Sequence, residues 1–230
     1  MSKRIKTPES KTPESRMQRF AAISMAFIAA ALLIISLKLP LWHMRLEAPQ
    51  YRGEEALRVA VHPNALHGDL RELATLNQYI GVHVPPTLPQ FKWLPSAILS
   101  AAILGLVTCG LSRSIRSNAM VAVPAALAIA LAIAVVQANM QMRDIGHNRD
   151  HRTVLVGVQD FTPPFLGTTK IAQFEVSSAL GWGAWLIGAA MALQAAAAFL
   201  SHQRRASAAA PAIIPAARAT AQFKPEPALH

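Results

Sequence analysis

The chain has 230 residues, of which 53% are apolar and only 15% are charged, a composition that argues against an ordinary soluble domain. Its formal net charge of +10 would suit a nucleic-acid-binding protein. Whether the charge indicates nucleic-acid binding depends on where the charged residues lie along the chain. The single cysteine, Cys109, excludes an intrachain disulfide, and its position inside an apolar run predicts a packing residue.

Four apolar runs dominate the sequence. Each has roughly 18 residues or more, enough to span the ~30 Å hydrocarbon core of a bilayer, and none carries a charged side chain. They are residues 20–37, 94–111, 119–136 and 176–200. The sequence therefore predicts an all-α membrane protein with four transmembrane helices, with the lipid bilayer as its first partner.

The charges are distributed unequally between the segments that join these runs. With the N-terminus in the cytoplasm, the predicted cytoplasmic segments hold 12 basic and 3 acidic residues, whereas the other side holds 10 and 9. This asymmetry follows the positive-inside rule. It predicts a multi-pass protein of the bacterial inner (plasma) membrane with both termini cytoplasmic, and it accounts for the net charge without nucleic acid.

The predicted cytoplasmic segments are short or of low complexity. Residues 1–19 contain a tandem Lys-Thr-Pro-Glu-Ser repeat with nothing to bury, which predicts a disordered tail. No small-x-small cleavage site follows the run 20–37, which favours an uncleaved signal anchor. Residues 112–118 are predicted to form a short loop, and the alanine- and proline-rich residues 201–230 are a second predicted disordered tail.

Residues 38–93 are long enough for a small extracytoplasmic α+β unit of ββα type. Two runs of alternating apolar and polar residues, 42–47 and 57–61, flank a glycine-containing turn and predict a β-hairpin. Asp69 and Glu72 then have the spacing of a capping box, which predicts a helix as far as about Ile80. The residues of this helix expected to face inward are Leu70, Leu73, Leu76 and Ile80. So small a unit has little core, so we expect it to rest on the membrane or on the other extracytoplasmic segment.

Residues 137–175 are predicted to be a Pro-rich extracytoplasmic loop between the third and fourth helices, and they hold the best metal candidates. The candidate ligands are His147, His151, Met140 and Met142, with His83 from the first segment as a further one. Thioether and imidazole together suit copper better than zinc or magnesium. The alternative is that the methionines pack at the membrane interface and the histidines are ordinary surface residues. We also expect His62 and His67, on either side of a Pro-Asn turn, to be solvated.

The sequence gives no support for an enzyme or a transporter. Residues 147–151 contain two histidines at helical spacing but lack the glutamate of a zincin helix. There is no glycine-rich phosphate loop and no recognisable nucleophile turn. The spans also lack the buried charged residues that proton-coupled transporters and ion channels usually need.

Two blocks of sequence resemble a family of small, uncharacterised bacterial multi-pass membrane proteins. The first block is Leu41-Trp42, then Leu46-Glu47-Ala48-Pro49-Gln50-Tyr51 and Leu76-Asn77-Gln78-Tyr79-Ile80-Gly81. The second is Asp144-Ile145-Gly146-His147-Asn148, then Asp160-Phe161-Thr162-Pro163-Pro164 and Gly167. The family is associated with maturation loci of copper enzymes such as nitrous oxide reductase. This chain has Gln78 and Val82 where the family pattern has histidine and methionine.

The resemblance implies an integral membrane accessory protein that handles copper, or helps to assemble a copper-dependent enzyme, on the extracytoplasmic face. The alternative is a structural subunit that docks a membrane or periplasmic protein through its extracytoplasmic loops without binding metal. In either case both loops return to the membrane beside each other. We therefore expect the two blocks, including His147, to form one surface.

Overall fold

The computed structural model describes residues 13–47, 53–63, 65–80, 88–111, 117–147, 162–171 and 174–209. Within these ranges the α-helices are α1 Pro13–Ser36, α2 Leu70–Ile80, α3 Leu94–Gly110, α4 Ser117–His147 and α5 Trp182–Ala209. The β-strands are β1 Trp42–Glu47, β2 Leu57–Val61, β3 Leu66–Gly68, β4 Gly167–Ile171 and β5 Phe174–Leu180. Short 3₁₀ turns, Gly53–Glu55 and Pro89–Phe91, precede β2 and α3.

Four helices, α1, α3, α4 and α5, are long and apolar enough to cross a membrane. Their candidate spans are Arg16–Ser36, Pro89–Gly110, Val121–Ile145 and Trp182–Gln203. The prediction of four membrane-length apolar helices is therefore confirmed. The helices extend beyond the predicted runs, since α1 begins at Pro13, within the segment expected to be disordered, and α4 continues to His147.

The four long helices form a bundle held by small residues. α1 packs most extensively against α5 and also against α3, while α4 contacts α3 and α5. The core is rich in alanine, and its largest fully buried apolar side chains are Leu33, Ile98 and Ile187. Small residues let helix backbones approach closely, which is how helices associate in lipid. Only 17% of the apolar stretch of α4 is buried, the lowest share of the four. α4 is therefore the helix least enclosed by its neighbours.

A five-stranded antiparallel sheet lies at the end of the bundle where α1 and α4 end and α3 and α5 begin. Its strand order is β3-β2-β1-β5-β4. The predicted hairpin is present, because β1 pairs with β2 with Trp42 opposite Val61 and Leu46 opposite Leu57. On its other side β1 pairs with β5, with Trp42 opposite Leu180. Strands from both inter-helix segments thus make one sheet.

The second segment differs from its prediction as a Pro-rich loop followed by a helix from residue 176. It contributes the hairpin β4–β5, and α5 begins only at Trp182. The run 176–200 is largely apolar and contains no charged residue, so hydropathy alone could not separate strand from helix. The separation occurs at Gly181, whose N–H donates to Leu41 O at 2.9 Å and where an added Cβ would collide with the carbonyl of Pro40.

The sheet has an apolar face and a polar face. The apolar face holds a small core of Leu46, Leu57, Val59 and Val176, over which α2 packs with Leu73. The polar face carries exposed residues from all five strands, His43, Arg58, His67, Thr168, Lys170 and Ala179. Alternation along each strand produces the two faces, as expected for a sheet packed on one side only.

The predicted helix after Asp69 is confirmed as α2, and Leu70 and Leu73 belong to the core beneath it. Leu76 and Ile80 lie in α2, but their side chains are outside the described residues. Asp69 O accepts from Leu73 N–H at 3.0 Å, as the first bond of the helix. Its carboxylate accepts from Arg58 N–H at 2.9 Å. Asp69 thus ties the start of α2 to strand β2.

Candidate functional site

The two inter-helix segments are joined by more than strand pairing. Trp42 Nε1 donates to Phe165 O at 2.6 Å, and the two rings stack with centroids 6.3 Å apart. Gly183 N–H donates to Pro40 O at 2.9 Å, which fixes the start of α5 against the end of α1. The expectation that the two segments meet is confirmed for these residues, and the part of it that places His147 on the same surface stays a prediction.

Between the apolar face of the sheet and the ends of the helices lies a cavity of about 340 Å³. This volume is within the range of about 300–1,000 Å³ that is typical of ligand pockets. The sheet unit lines the cavity with Trp42, Met44, Val59 and Leu73 among others. The helices line it with Leu94, Leu131, Ala134, Ala138, Ile145 and Ile187 among others. We call this space the sheet–bundle cavity.

Polar side chains are few among the described residues that line the sheet–bundle cavity. Besides the indole of Trp42, they are His62, at the end of β2, and Gln141, near the end of α4. Gln141 Oε1 accepts from Gln90 Nε2 at 2.9 Å, which joins α4 to the turn before α3. An apolar pocket with a few placed polar groups is the usual construction of a small-molecule site.

His62 and His67 contact each other across the turn between β2 and β3. Their ring centroids are 4.6 Å apart in an edge-to-face arrangement. The pKa of His62 is lowered, first because burial disfavours the charged ring and then because His67 repels it, while a hydrogen bond to the Lys38 backbone acts in the opposite direction. His62 is therefore neutral at pH 7. We expected both residues to be solvated, which holds for His67 only.

The predicted metal ligands that the structure describes lie in different surroundings. Met142 lines the sheet–bundle cavity, whereas Met140 is 60% exposed. Residues two positions apart on a helix differ by about 200° in direction, so one side of α4 cannot present both methionines. His147 is exposed at the last residue of α4, and its Nδ1 lies 2.8 Å from Arg143 O. His83 and His151 lie outside the described residues.

The described residues contain no group of three or more His, Cys, Asp or Glu side chains that could hold a metal ion. Methionine is not one of these four residue types, and His83 and His151 lie outside the described residues. The copper site therefore stays a prediction. No single motif in the sequence predicts the sheet–bundle cavity, because its lining comes from separate elements of the chain.

Known proteins add no further assignment. The chain matches no protein-family model, and no curated protein matches it.

Proposed function

We propose that this chain is an integral membrane accessory protein that docks a partner protein through its five-stranded sheet at one membrane face. The observation that supports this most is the joining of strands from two separate segments into one sheet on the end of the bundle. A bundle that acted only within the lipid would have no need of this unit. Its construction favours a role outside the bilayer.

The polar face of the sheet has the chemistry of a docking surface. Both charge signs are present, with Arg45 Nη2 2.8 Å from Glu47 Oε1 and Lys170 Nζ 3.9 Å from Glu175 Oε2. Arg45 Nη2 also donates to Gly53 O at 2.7 Å, which holds its side chain along the sheet. Exposed ion pairs of this kind add little stability, so they are better understood as surface available to a partner.

The strand order suggests how a partner would bind. Among the described strands β4 is an outer one that pairs with β5 on one side, and its residues 167–170 are exposed. An outer strand presents backbone donors and acceptors to which an extended segment of another protein can add. The charge asymmetry of the sequence supports placing this face outside the cytoplasm of a bacterial cell, with both termini inside.

Copper handling on the same face is a second candidate function, and one observation favours it. Because a carbonyl oxygen can only accept, His147 Nδ1 donates to Arg143 O, and in the neutral ring Nε2 then carries the lone pair. Metal-binding histidines usually have this arrangement. The remaining proposed ligands are His151, His83 and one of the two methionines, Met140 or Met142, which lie on different sides of α4.

The docking proposal is tested by site-specific photo-cross-linking in cells. A photoreactive residue at Lys170 should give a discrete protein adduct, because this position is exposed on β4. The matched control is Ile129 on α4, which is 62% exposed within a candidate span and should contact only lipid. Identical adducts at both positions, or none at Lys170, would contradict docking through the sheet.

The copper proposal is tested separately by metal analysis of the detergent-purified protein after copper loading. We expect stoichiometric copper in the wild type and its loss in the double variant His147→Ala/His151→Ala. A wild-type protein without copper, or a variant that retains it, would reject copper handling. Neither result would affect the docking proposal.

A further inference from the structure

Part of the wall that α4 contributes to the sheet–bundle cavity lies within the apolar run 119–136, and the rest continues towards the end of the helix. Leu131, Ala134, Ala138 and Ile145 line the cavity and also belong to the candidate span Val121–Ile145. From the first to the last of these residues the helix rises by about 21 Å. An occupant lying along this wall would extend from the sheet into the hydrocarbon region.

Val135 indicates where such an occupant could enter. It lines the cavity and yet is 46% exposed, so it lies at the cavity's rim on the least enclosed helix of the bundle. Since the outside of a membrane-spanning helix at this depth is lipid, the rim connects the cavity with the bilayer rather than with water.

The lining also restricts the charge of the occupant. No Lys, Arg, Asp or Glu is among the described residues that line the cavity. A phosphate or carboxylate headgroup would therefore lose its hydration there without gaining an ionic partner, which is strongly unfavourable. The volume of about 340 Å³ lies near the lower end of the range for ligand pockets, which suits one hydrocarbon chain better than a complete two-chain lipid.

Of the polar groups that line the cavity, Gln141 can bind a hydroxyl or a carbonyl oxygen, and His62 can bind a hydroxyl. Gln141 accepts from Gln90 through Oε1, and its amide nitrogen is a donor. A neutral imidazole such as that of His62 has one ring nitrogen that donates and one that accepts. A hydroxyl group can donate to this histidine or accept from the glutamine.

From these features we infer that the sheet–bundle cavity binds an uncharged, single-chain lipid that carries a hydroxyl or carbonyl group and enters from the bilayer past α4. This inference rests on the cavity alone. It is independent of the docking and copper proposals.

The test uses fluorescence quenching of Trp42, which lines the cavity, in the purified full-length protein. The other tryptophans are replaced in the variant Trp93→Phe/Trp182→Phe/Trp185→Phe. Dibromo-octadecanol, an uncharged quencher, should quench Trp42 saturably. Ionised dibromostearate should bind at least about tenfold more weakly than the alcohol. A protein that keeps only Trp185, which is 63% exposed, controls for quenching by lipid outside the cavity.

Two matched variants of α4 locate the binding. Ala138→Phe fills the cavity and should weaken the alcohol's binding at least about tenfold, whereas Ala132→Phe, at an exposed position of the same helix, should leave it unchanged. Mass spectrometry of lipids that copurify with the unmodified protein provides a readout that needs no variant, and we expect an uncharged single-chain species. The inference would be overturned if Trp42 showed no saturable quenching, or if dibromostearate bound as tightly as dibromo-octadecanol. It would also be overturned if the two variants had equal effects, or if no uncharged single-chain lipid copurified.

Discussion

Leu73 is the apolar anchor of α2, and its truncation to alanine tests how the sheet unit is held together. Its side chain is only 5% exposed and packs against Leu46, Leu57, Val59 and Val176. Leu73→Ala removes three carbon atoms. At about 0.8 kcal/mol per buried methylene, the lost transfer free energy is about 2.4 kcal/mol.

A second contribution, the void left behind, raises some Leu→Ala costs to about 5 kcal/mol. This contribution should be small here, because Leu73 already lines the sheet–bundle cavity and the void would merge with it. We therefore expect a loss of about 2–3 kcal/mol in the free energy of opening α2. Since about 1.4 kcal/mol corresponds to a factor of ten, protection of the α2 amides should fall by about 50-fold.

The assay is amide hydrogen exchange of the purified protein in detergent, followed by mass spectrometry. Thr75→Ala, at an exposed position of the same helix, is the control and should change the opening free energy by less than about 0.5 kcal/mol. A loss of protection below about threefold for Leu73→Ala would refute the reasoning, because it would mean that α2 does not depend on this contact.

Three further predictions concern the turns, the titration and the topology. Gly68→Ala should weaken β3, since φ is +117° there and an added Cβ would collide with the Arg58 carbonyl; exchange of the β3 amides should rise, and an unchanged rate would contradict this. The pKa of His62 is lowered on folding, so the unfolded chain binds the proton more readily and stability should fall as pH drops below about 6.5. The stability of β2 at pH 7.5 and 5.5, obtained from the protection of its amides against hydrogen exchange, measures this loss. His62→Gln should reduce the difference in stability between the two pH values. An equal difference in the variant would mean that His62 is not the group responsible. Reporter fusions should lie alternately in and out of the cytoplasm, in the order in, out, in, out, in, at Ser10, Arg71, Ser114, Thr153 and Ala208. Any other pattern would overturn the proposed topology.

Local patterns in the sequence predict most of the helices and the first hairpin, because the signal for each of these elements lies within its own segment of the chain. Hydropathy over a membrane-length window is sufficient for α1, α3 and α4. Alternation is sufficient for β1 and β2, since only one face of the sheet is buried. The capping pattern at Asp69 predicts α2 because the signal lies within a single turn.

The hairpin β4–β5 and the cavity depend on contacts between distant parts of the chain. Val176 and Leu180 are as apolar as the helix that follows, and only the pairing of β5 with β1 makes them a strand. The cavity depends on how far the sheet lies from α4, a distance that no local pattern contains. His62 looked like a solvated turn residue, because its half-buried position follows from that same packing.

The central claim is that segments on either side of α2, α3 and α4 meet in one sheet, and a cross-strand disulfide tests it most directly. His43 and Ala179 are paired on the polar face of β1 and β5. Paired residues on antiparallel strands have Cα atoms about 4.5–5.5 Å apart, a separation that a disulfide can bridge. In a Cys109→Ala background, His43→Cys/Ala179→Cys should therefore cross-link rapidly within one chain on mild oxidation. The register control His43→Cys/Ser177→Cys, diagonal across the strands at about 7–8 Å, should cross-link far more slowly. Equal rates for the two pairs, or no intrachain cross-link in the first, would contradict the joined sheet and with it the roof of the cavity.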